Sequence, residues 1–182
     1  MKTLLCLGDS NTYGYDPRSF FGSRYPEDVR WTGRLSGLNV INYGVNGATI
    51  PRSGTVFAEL IKSKAPDLTT VMLGSNDLLQ GSGVAQVADR MEAFLSPIIT
   101  AGRPVLLIAP PPMRYGEWVQ SEKVLAASKE LGGSYRGLAG RMNILFADSG
   151  EWDIDLAFDG VHFTSEGHAS FARKLQEIID RL

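Results

Sequence analysis

The sequence predicts an α/β protein, a three-layer αβα sandwich built on a central, mostly parallel sheet of five strands. Three observations support this fold class. Five short, almost continuous apolar runs are spaced along the chain, longer amphipathic segments lie between them, and glycine or polar residues end most of the runs. Strands that are apolar on both faces and alternate with helices are typical of a parallel sheet covered by helices on each side.

Each element is predicted from its own pattern. Strands are expected where four or five apolar or β-branched residues run together, and helices where apolar residues recur every three or four positions. The predicted strands are Thr3–Leu7, Val40–Tyr43, Thr70–Leu73, Val105–Ala109 and Ile144–Ala147. The predicted helices are Trp31–Leu35, Val56–Lys64, Val84–Thr100, roughly Glu117–Leu138, and Ser165–Leu182. Right-handed crossovers between these strands place helices on both faces of the sheet.

A long loop is expected between the first strand and the first helix. The segment Tyr13–Arg30 is rich in aromatic residues, proline, glycine and arginine and has no clean periodicity. Ligand sites of such folds lie beyond the carboxyl ends of the strands, and a loop at this position overhangs that edge.

Length, charge and cysteine content restrict the class of protein. The 182 residues suit one domain, 1–182, and the formal net charge of −2 comes without a run of basic residues. A small-molecule substrate is therefore expected, rather than nucleic acid or an anionic membrane surface. The apolar run near the N-terminus is too short for an export signal or a membrane span, so a cytoplasmic protein is expected. Cys6 is the single cysteine, which excludes an internal disulfide.

Ser10 is the candidate nucleophile. It follows the first predicted strand in the sequence Gly8-Asp9-Ser10-Asn11, where glycine lets the chain turn and the hydroxyl project over the sheet edge. A serine hydroxyl is a weak nucleophile unless a base lies within hydrogen-bond reach. Taken alone, Ser10 is better explained as the N-cap of a following helix.

His162 is the candidate base, and Asp159 is the candidate acid that orients it. The only other histidine, His168, shares the apolar stripe of the last predicted helix, which favours a packed side chain. His162 precedes that helix in a loop, and Gly160 allows a tight turn that brings Asp159 to the far imidazole nitrogen. Asp159 could instead be only a turn residue, and Thr164 is a candidate helix N-cap.

Gly47 and Asn76 are candidate donors to an oxyanion. Attack on an acyl group creates a negatively charged tetrahedral oxygen, which needs hydrogen-bond donors aimed at it. Gly47 offers a backbone N–H without a side chain, Asn76 offers a side-chain amide, and the backbone N–H of Ser10 is a third donor. Each residue alone is more often plain turn or cap chemistry.

Four separated blocks together resemble the SGNH (GDSL) hydrolase family. The blocks are Gly8-Asp9-Ser10, Asn42-x-Gly44-x-x-Gly47, Gly74-x-Asn76-Asp77 and Asp159-x-x-His162. They stand in the family's order and span nearly the whole chain. The resemblance implies a flavodoxin-like fold, Ser10 as nucleophile, Asp159 and His162 as the rest of the triad, and Gly47 and Asn76 as oxyanion donors. It also implies that the protein needs no metal or organic cofactor.

A narrower resemblance concerns the bacterial arylesterase and acyltransferase branch. Arg30-Trp31-Thr32-Gly33 and Gly160-Val161-His162-Phe163-Thr164 are similar to that branch. Its members act on small acyl esters, can transfer the acyl group to alcohols or peroxide, and associate into homo-oligomers. The chain departs from the family at Asn11, where the name-giving motif has leucine, and from the branch at Gly47, where the branch carries a small non-glycine residue.

The resemblance implies a serine-dependent esterase for short-chain acyl esters, aryl esters or acetylated sugars, through an acyl-serine intermediate. Two alternatives stay open: a ligand-binding domain that keeps the fold without the reaction, and a Mg²⁺-dependent phosphoryl-transfer enzyme using Asp9. The candidate substrate-binding residues are Tyr13, Tyr15 and Trp31. With Phe20 and Phe21 they form either an aromatic acyl or aryl pocket or packing in the core and lid.

Overall fold

A five-stranded sheet forms the centre of the computed structural model, which describes residues 1–19 and 21–182. Phe20 lies outside the described residues. The strands are β1 (Lys2–Gly8), β2 (Leu38–Gly44), β3 (Leu68–Met72), β4 (Val105–Ala109) and β5 (Leu145–Asp148). Their order is β2-β1-β3-β4-β5, and every neighbouring pair is parallel. This is the flavodoxin-like order, so the predicted fold class is confirmed.

The helices agree with the sequence pattern where they are long. They are α1 (Ser10–Tyr13), α2 (Trp31–Arg34), α3 (Thr55–Lys64), α4 (Ser75–Leu79), α5 (Val84–Ile99), α6 (Glu122–Met142) and α7 (Ser165–Ile179). The prediction omitted α1 and α4, which have four and five residues and are too short to show a helical period. It also began α6 at Glu117, whereas the backbone of residues 116–119 makes a tight turn instead.

Two apolar cores lie on the two faces of the sheet. Alternate residues of β1 point to opposite faces: Leu5 belongs to the core that α3, α5 and α6 cover, and Cys6 to the core that α2 and α7 cover. Since β1 lies between β2 and β3 and is buried on both faces, it is held rigidly. The turn after its carboxyl end is therefore a well-supported place for a reacting group.

The length and apolar content of the helices decide whether any of them could span a membrane. Among the helices of residues 1–19 and 21–182, none is both long and apolar enough to cross a membrane.

Candidate active site

Ser10 is the first residue of α1, directly after β1, and its side chain points at a histidine. Its Oγ lies 2.9 Å from Nε2 of His162, a residue 152 positions later in the chain. The N-cap of α1 is Asp9, whose carboxylate accepts a 3.0 Å hydrogen bond from the backbone N–H of Asn11. The capping role that could have explained Ser10 is thus filled by its neighbour, and the serine hydroxyl is left to bond the imidazole.

Asp9 is enclosed beneath this turn. Burial raises the pKa of its carboxyl to about 6, and the hydrogen bond from Asn11 opposes that rise. Asp9 is 2% exposed and does not line the pocket in front of Ser10. Asp9 thus acts as the cap of a helix and is shielded from a ligand, which disfavours a phosphate acceptor.

The carboxylate of Asp159 accepts three hydrogen bonds, two from His162 and one from Val161. One carboxylate oxygen accepts from Nδ1 of the imidazole at 2.7 Å, and the other accepts from the backbone N–H groups of Val161 and His162 at 2.9 and 3.0 Å. The turn requires Gly160, whose φ is 83° and whose missing Cβ would collide with the carbonyl oxygen of Arg114. With Nδ1 protonated towards Asp159, Nε2 is free to accept the proton of Ser10.

The carboxylate of Asp159 is held in its ionised form. Burial alone would raise its pKa, but the hydrogen bonds from the His162 ring and from the backbone of His162 and Val161 outweigh this, so the pKa is lowered. An ionised acid beside Nδ1 stabilises the imidazolium that forms when Nε2 takes a proton.

A small pocket opens in front of Ser10. Its volume is about 140 Å³, and it is lined by Ser10, Tyr15, Asn46, Gly47, Asn76, Trp118 and His162. Gly47 has a φ of 70°, in the left-handed region that favours glycine. Both predicted oxyanion donors, Gly47 and Asn76, therefore lie in one pocket with the nucleophile and the base.

The loop after β2 and the helix after β3 are fastened together. Nδ2 of Asn76 donates a 2.9 Å hydrogen bond to the carbonyl of Ala48, so one amide hydrogen is used and one is left for a ligand. The next residue, Asp77, is fully buried, and its carboxylate accepts from the backbone N–H of Ile50 and from Arg90, each at 3.0 Å. These bonds fix Asn76 relative to Gly47.

Two aromatic rings contact the imidazole of His162. The ring of Tyr15 is 4.5 Å from that of His162 at 52°, and the ring of Trp118 is 5.0 Å away at 84°. Sequence analysis missed Trp118, because it assigned this segment to a helix. The backbone N–H of Trp118 instead bonds the carbonyl of Asp159, which places the indole at the pocket. The available signal was Gly116, two residues before Trp118, because glycine favours a turn over the interior of a helix.

The other aromatic candidates lie elsewhere. Trp31 is 1% exposed and packs against Phe171, with its indole N–H donating to the carbonyl of Asn11, so its expected place in the pocket is wrong and the core alternative holds. The ring of Tyr13 lies under the guanidinium of Arg24 at 4.2 Å and does not line the pocket. Tyr15 alone of the three candidates reaches it.

His168 has the packing role that its position in the last helix predicted. It is fully buried in α7, and its Nδ1 accepts from the backbone N–H of Trp31 at 3.3 Å. Burial, with Arg34 and Arg30 nearby, lowers its pKa to about 3. Thr164 is the N-cap of α7, as predicted, and accepts from the N–H of Gly167.

Other parts of the described chain offer no comparable chemistry. Among residues 1–19 and 21–182, no three His, Cys, Asp or Glu side chains are grouped so as to hold a metal ion. A larger cavity of about 280 Å³ lies at the opposite end of the sheet, lined by residues such as Leu4, Leu38 and Leu68 and by no serine or histidine. The pocket at Ser10 is smaller, but it holds the predicted nucleophile, the predicted base and the predicted oxyanion donors together.

Comparison with known proteins gives a consistent result. Residues 6–170 match the model of the GDSL-like lipase/acylhydrolase family. The structure is similar to that of an aryl esterase from M. smegmatis, with 26% identity, a TM-score of 0.89 and all of both chains covered. It is also similar to a carbohydrate acetylesterase from Sinorhizobium meliloti, with 25% identity, a TM-score of 0.88, and 100% of this chain and 99% of the other covered.

A mutant of an acetyl-xylooligosaccharide esterase from Geobacillus shares the fold at 21% identity and a TM-score of 0.73, over 98% of this chain and 94% of the other. A search of curated protein sequences found no significant match. The predicted resemblance to the SGNH hydrolases and their arylesterase branch is confirmed.

Proposed function

The chain belongs to the GDSL-like lipase/acylhydrolase family and is a carboxylic ester hydrolase, and we propose that Ser10, His162 and Asp159 are its catalytic triad. The observation that carries this proposal is the continuous line of hydrogen bonds from Ser10 Oγ through the His162 imidazole to the Asp159 carboxylate, at 2.9 and 2.7 Å. All three side chains are buried at one end of a rigid sheet.

The first half of the reaction makes an acyl-enzyme. Oγ of Ser10 attacks the ester carbonyl carbon while Nε2 of His162 takes the hydroxyl proton. The C–O bond to the alcohol then breaks, the alcohol leaves with that proton, and the acyl group stays on Ser10. Asp159 holds Nδ1–H throughout and stabilises the imidazolium without taking its proton.

The second half of the reaction hydrolyses the acyl-enzyme and regenerates the free enzyme. Water gives a proton to Nε2 of His162, its oxygen attacks the acyl carbon, and the carboxylic acid leaves as Ser10 regains its proton. An alcohol in place of water would give a new ester, which is the acyl transfer expected from the branch resemblance.

The negative oxygen of both tetrahedral intermediates needs donors in the pocket. We assign the backbone N–H groups of Ser10 and Gly47 and the free Nδ2–H of Asn76 to this role, since all three residues line the pocket in front of Oγ. Donors that are already fixed before the reaction cost no reorganisation as charge develops. The bond from Asn76 to Ala48 supplies that fixation.

The substrate is proposed to be an ester of a short acyl group. The pocket volume of about 140 Å³ is well below the range of roughly 300–1,000 Å³ in which drug-sized ligands are enclosed. Tyr15 and Trp118 beside His162 provide an aromatic surface for an aryl or sugar alcohol, and the similar aryl esterase and carbohydrate acetylesterase support these two classes.

The proposal is tested by the rate of p-nitrophenyl acetate hydrolysis in wild type and Ser10→Ala. Loss of the nucleophile is expected to lower kcat by about 10³–10⁶-fold, by analogy with other serine hydrolases. Ser149→Ala is a matched control, because Ser149 is a buried serine whose hydroxyl bonds the carbonyl of Ala109 and does not line the pocket. Equal rates in wild type and Ser10→Ala would exclude Ser10 as nucleophile. The acyl preference is tested by comparing p-nitrophenyl acetate with p-nitrophenyl octanoate in wild type. Faster turnover of the octanoate would exclude a short-acyl site.

A further inference from the structure

Asn11 stands where the family's name-giving motif has leucine, and its side chain spans the two parts of the active site. Nδ2 donates a 3.1 Å hydrogen bond to the carbonyl of Val161, and Oδ1 accepts a 2.9 Å hydrogen bond from the backbone N–H of Phe163. Val161 and Phe163 are the residues immediately before and after His162. One amide therefore binds the backbone on both sides of the catalytic base.

Asn11 is also fixed on its own side. Its backbone N–H donates to the carboxylate of Asp9 at 3.0 Å, and its carbonyl accepts from the indole N–H of Trp31 at 2.9 Å. Together with burial of all but 4% of the residue, these bonds leave the side chain little freedom to turn away. A group that is itself held in place can position what it binds.

The two parts of the site come from distant parts of the chain. The nucleophile turn (residues 9–14) follows the first strand, and the His162 loop (residues 156–164) precedes the last helix. Among the described residues, the hydrogen bonds between these two segments are the two of the Asn11 amide and the bond from Ser10 to His162 itself.

Asp159 cannot hold the His162 loop against the nucleophile turn. Asp159 sets the tautomer and direction of the imidazole, but it lies in the His162 loop and moves with it. The distance between Oγ and Nε2 depends on a contact that reaches across to the nucleophile turn. Asn11 makes that contact.

Resting on the proposed function, we propose that Asn11 is a positioning residue: its amide clamps the backbone around His162 and so sets the reacting distance to Ser10. It does not line the pocket in front of Ser10, and its role is therefore to position His162 rather than to react. A leucine of similar volume would fill the space but could replace neither hydrogen bond, and would leave the carbonyl of Val161 and the N–H of Phe163 unpaired.

The proposal is tested with Asn11→Leu. We expect kcat for p-nitrophenyl acetate to fall by about 10–100-fold, because a shift of about 1 Å in a reacting group can cost about 100-fold. KM should stay within about twofold, since the pocket walls are unchanged. A role in folding alone would lower the melting temperature without changing kcat per folded molecule.

Asn11→Ser guards against failure of the leucine variant to fold, because a shorter polar side chain leaves room for a water molecule at the two backbone groups. It should show the same loss in kcat, measured per folded molecule. Ser149→Ala is the control for losing a buried hydrogen bond to a carbonyl, and should keep wild-type kcat.

Wild-type kcat in folded Asn11→Leu and Asn11→Ser would overturn the proposal. A rise of about 10–100-fold in KM with kcat unchanged would also overturn it, because that result would place Asn11 in substrate binding. Ser10→Ala, assayed alongside, separates failure of the positioning proposal from failure of the proposed function. If Ser10→Ala is inactive while the Asn11 variants are normal, only the positioning role fails; if Ser10→Ala is active, the proposed function fails.

Discussion

Trp118 shows how much of the pocket depends on one side chain that the sequence pattern did not single out. The indole is 53% exposed, yet its edge-to-face contact with His162 puts it at the wall of the site. Its placement depends on a backbone bond to the loop of Asp159, about forty residues later. A contact between loops this far apart has no periodic signal in the chain.

Replacing Trp118 with alanine should weaken binding of aryl esters. Aromatic pairs contribute about 0.5–1.5 kcal/mol beyond their buried area, which corresponds to about 2–10-fold in kcat/KM. The measurement compares phenyl acetate with ethyl acetate in wild type and Trp118→Ala, and the loss should be larger for the aryl ester. The control is Tyr115→Ala, because Tyr115 is exposed and does not line the pocket. Equal losses for both esters would remove Trp118 from alcohol recognition.

The secondary-structure elements were predictable to the extent that they are regular. All five strands were found within a few residues of their bounds, because the interior strands β1, β3 and β4 are buried runs and the edge strands β2 and β5 keep enough apolar residues to stand out. The short helices α1 and α4 were not predicted, although they carry Ser10 and Asn76. Their dihedral angles are set by one capping group or one glycine, and four or five residues cannot display a helical period.

The pairing of α7 with α2 is expected to make stability depend on pH. His168 joins these helices as a neutral acceptor for Trp31, with its pKa lowered from 6.5 to about 3, mainly by burial. Between those values the unfolded chain binds a proton that the native protein does not. Acidification from about pH 6.5 therefore favours unfolding, by about 1.4 kcal/mol per pH unit for one whole proton.

His168→Asn tests this dependence. The Oδ1 atom of asparagine can take the place of Nδ1 as acceptor, but asparagine does not titrate. Urea unfolding between pH 4 and 7 should give a smaller loss of unfolding free energy on acidification in the variant. Asp9 acts in the opposite sense, because its raised pKa favours the native protein as the pH falls from about 6, but it is present in both proteins and cancels. If the unfolding free energy changes with pH equally in wild type and His168→Asn, His168 does not contribute to the pH dependence.

In the whole molecule, the site exists only when distant parts of the chain have come together. Ser10 and His162 are 152 positions apart, and Gly47 and Asn76 come from two further strand ends. The four sequence blocks could be assigned to one edge because parallel strands share a direction. The hydrogen bonds of Asn11 to the backbone beside His162 and the contact of Trp118 with its ring could not be predicted, because they depend on how loops far apart in the chain pack against each other.

The organisation as one domain over 1–182 stays a prediction, as do the cytoplasmic location and the homo-oligomer. If the chain is one domain, the single continuous sheet, in which β1 pairs with both β2 and β3, should make unfolding a single cooperative transition. Far-ultraviolet circular dichroism, tryptophan fluorescence and residual esterase activity should then give coincident midpoints on heating. A helical signal that outlasts the other two would indicate separable units. Light scattering of the eluted protein gives the oligomeric state.

Cys6 is buried in β1, an interior strand of the sheet, so the wild-type protein carries a natural reporter of its own unfolding. Burial raises the pKa of this thiol to about 12, although a hydrogen bond with Thr70 opposes the rise. A disulfide reagent is attacked only by an accessible thiolate, which displaces one of its sulfur atoms, and Cys6 is the single cysteine of the chain. At reagent concentrations where the rate of labelling no longer increases, that rate gives the rate at which the interior of the sheet opens in native buffer, without any engineered probe.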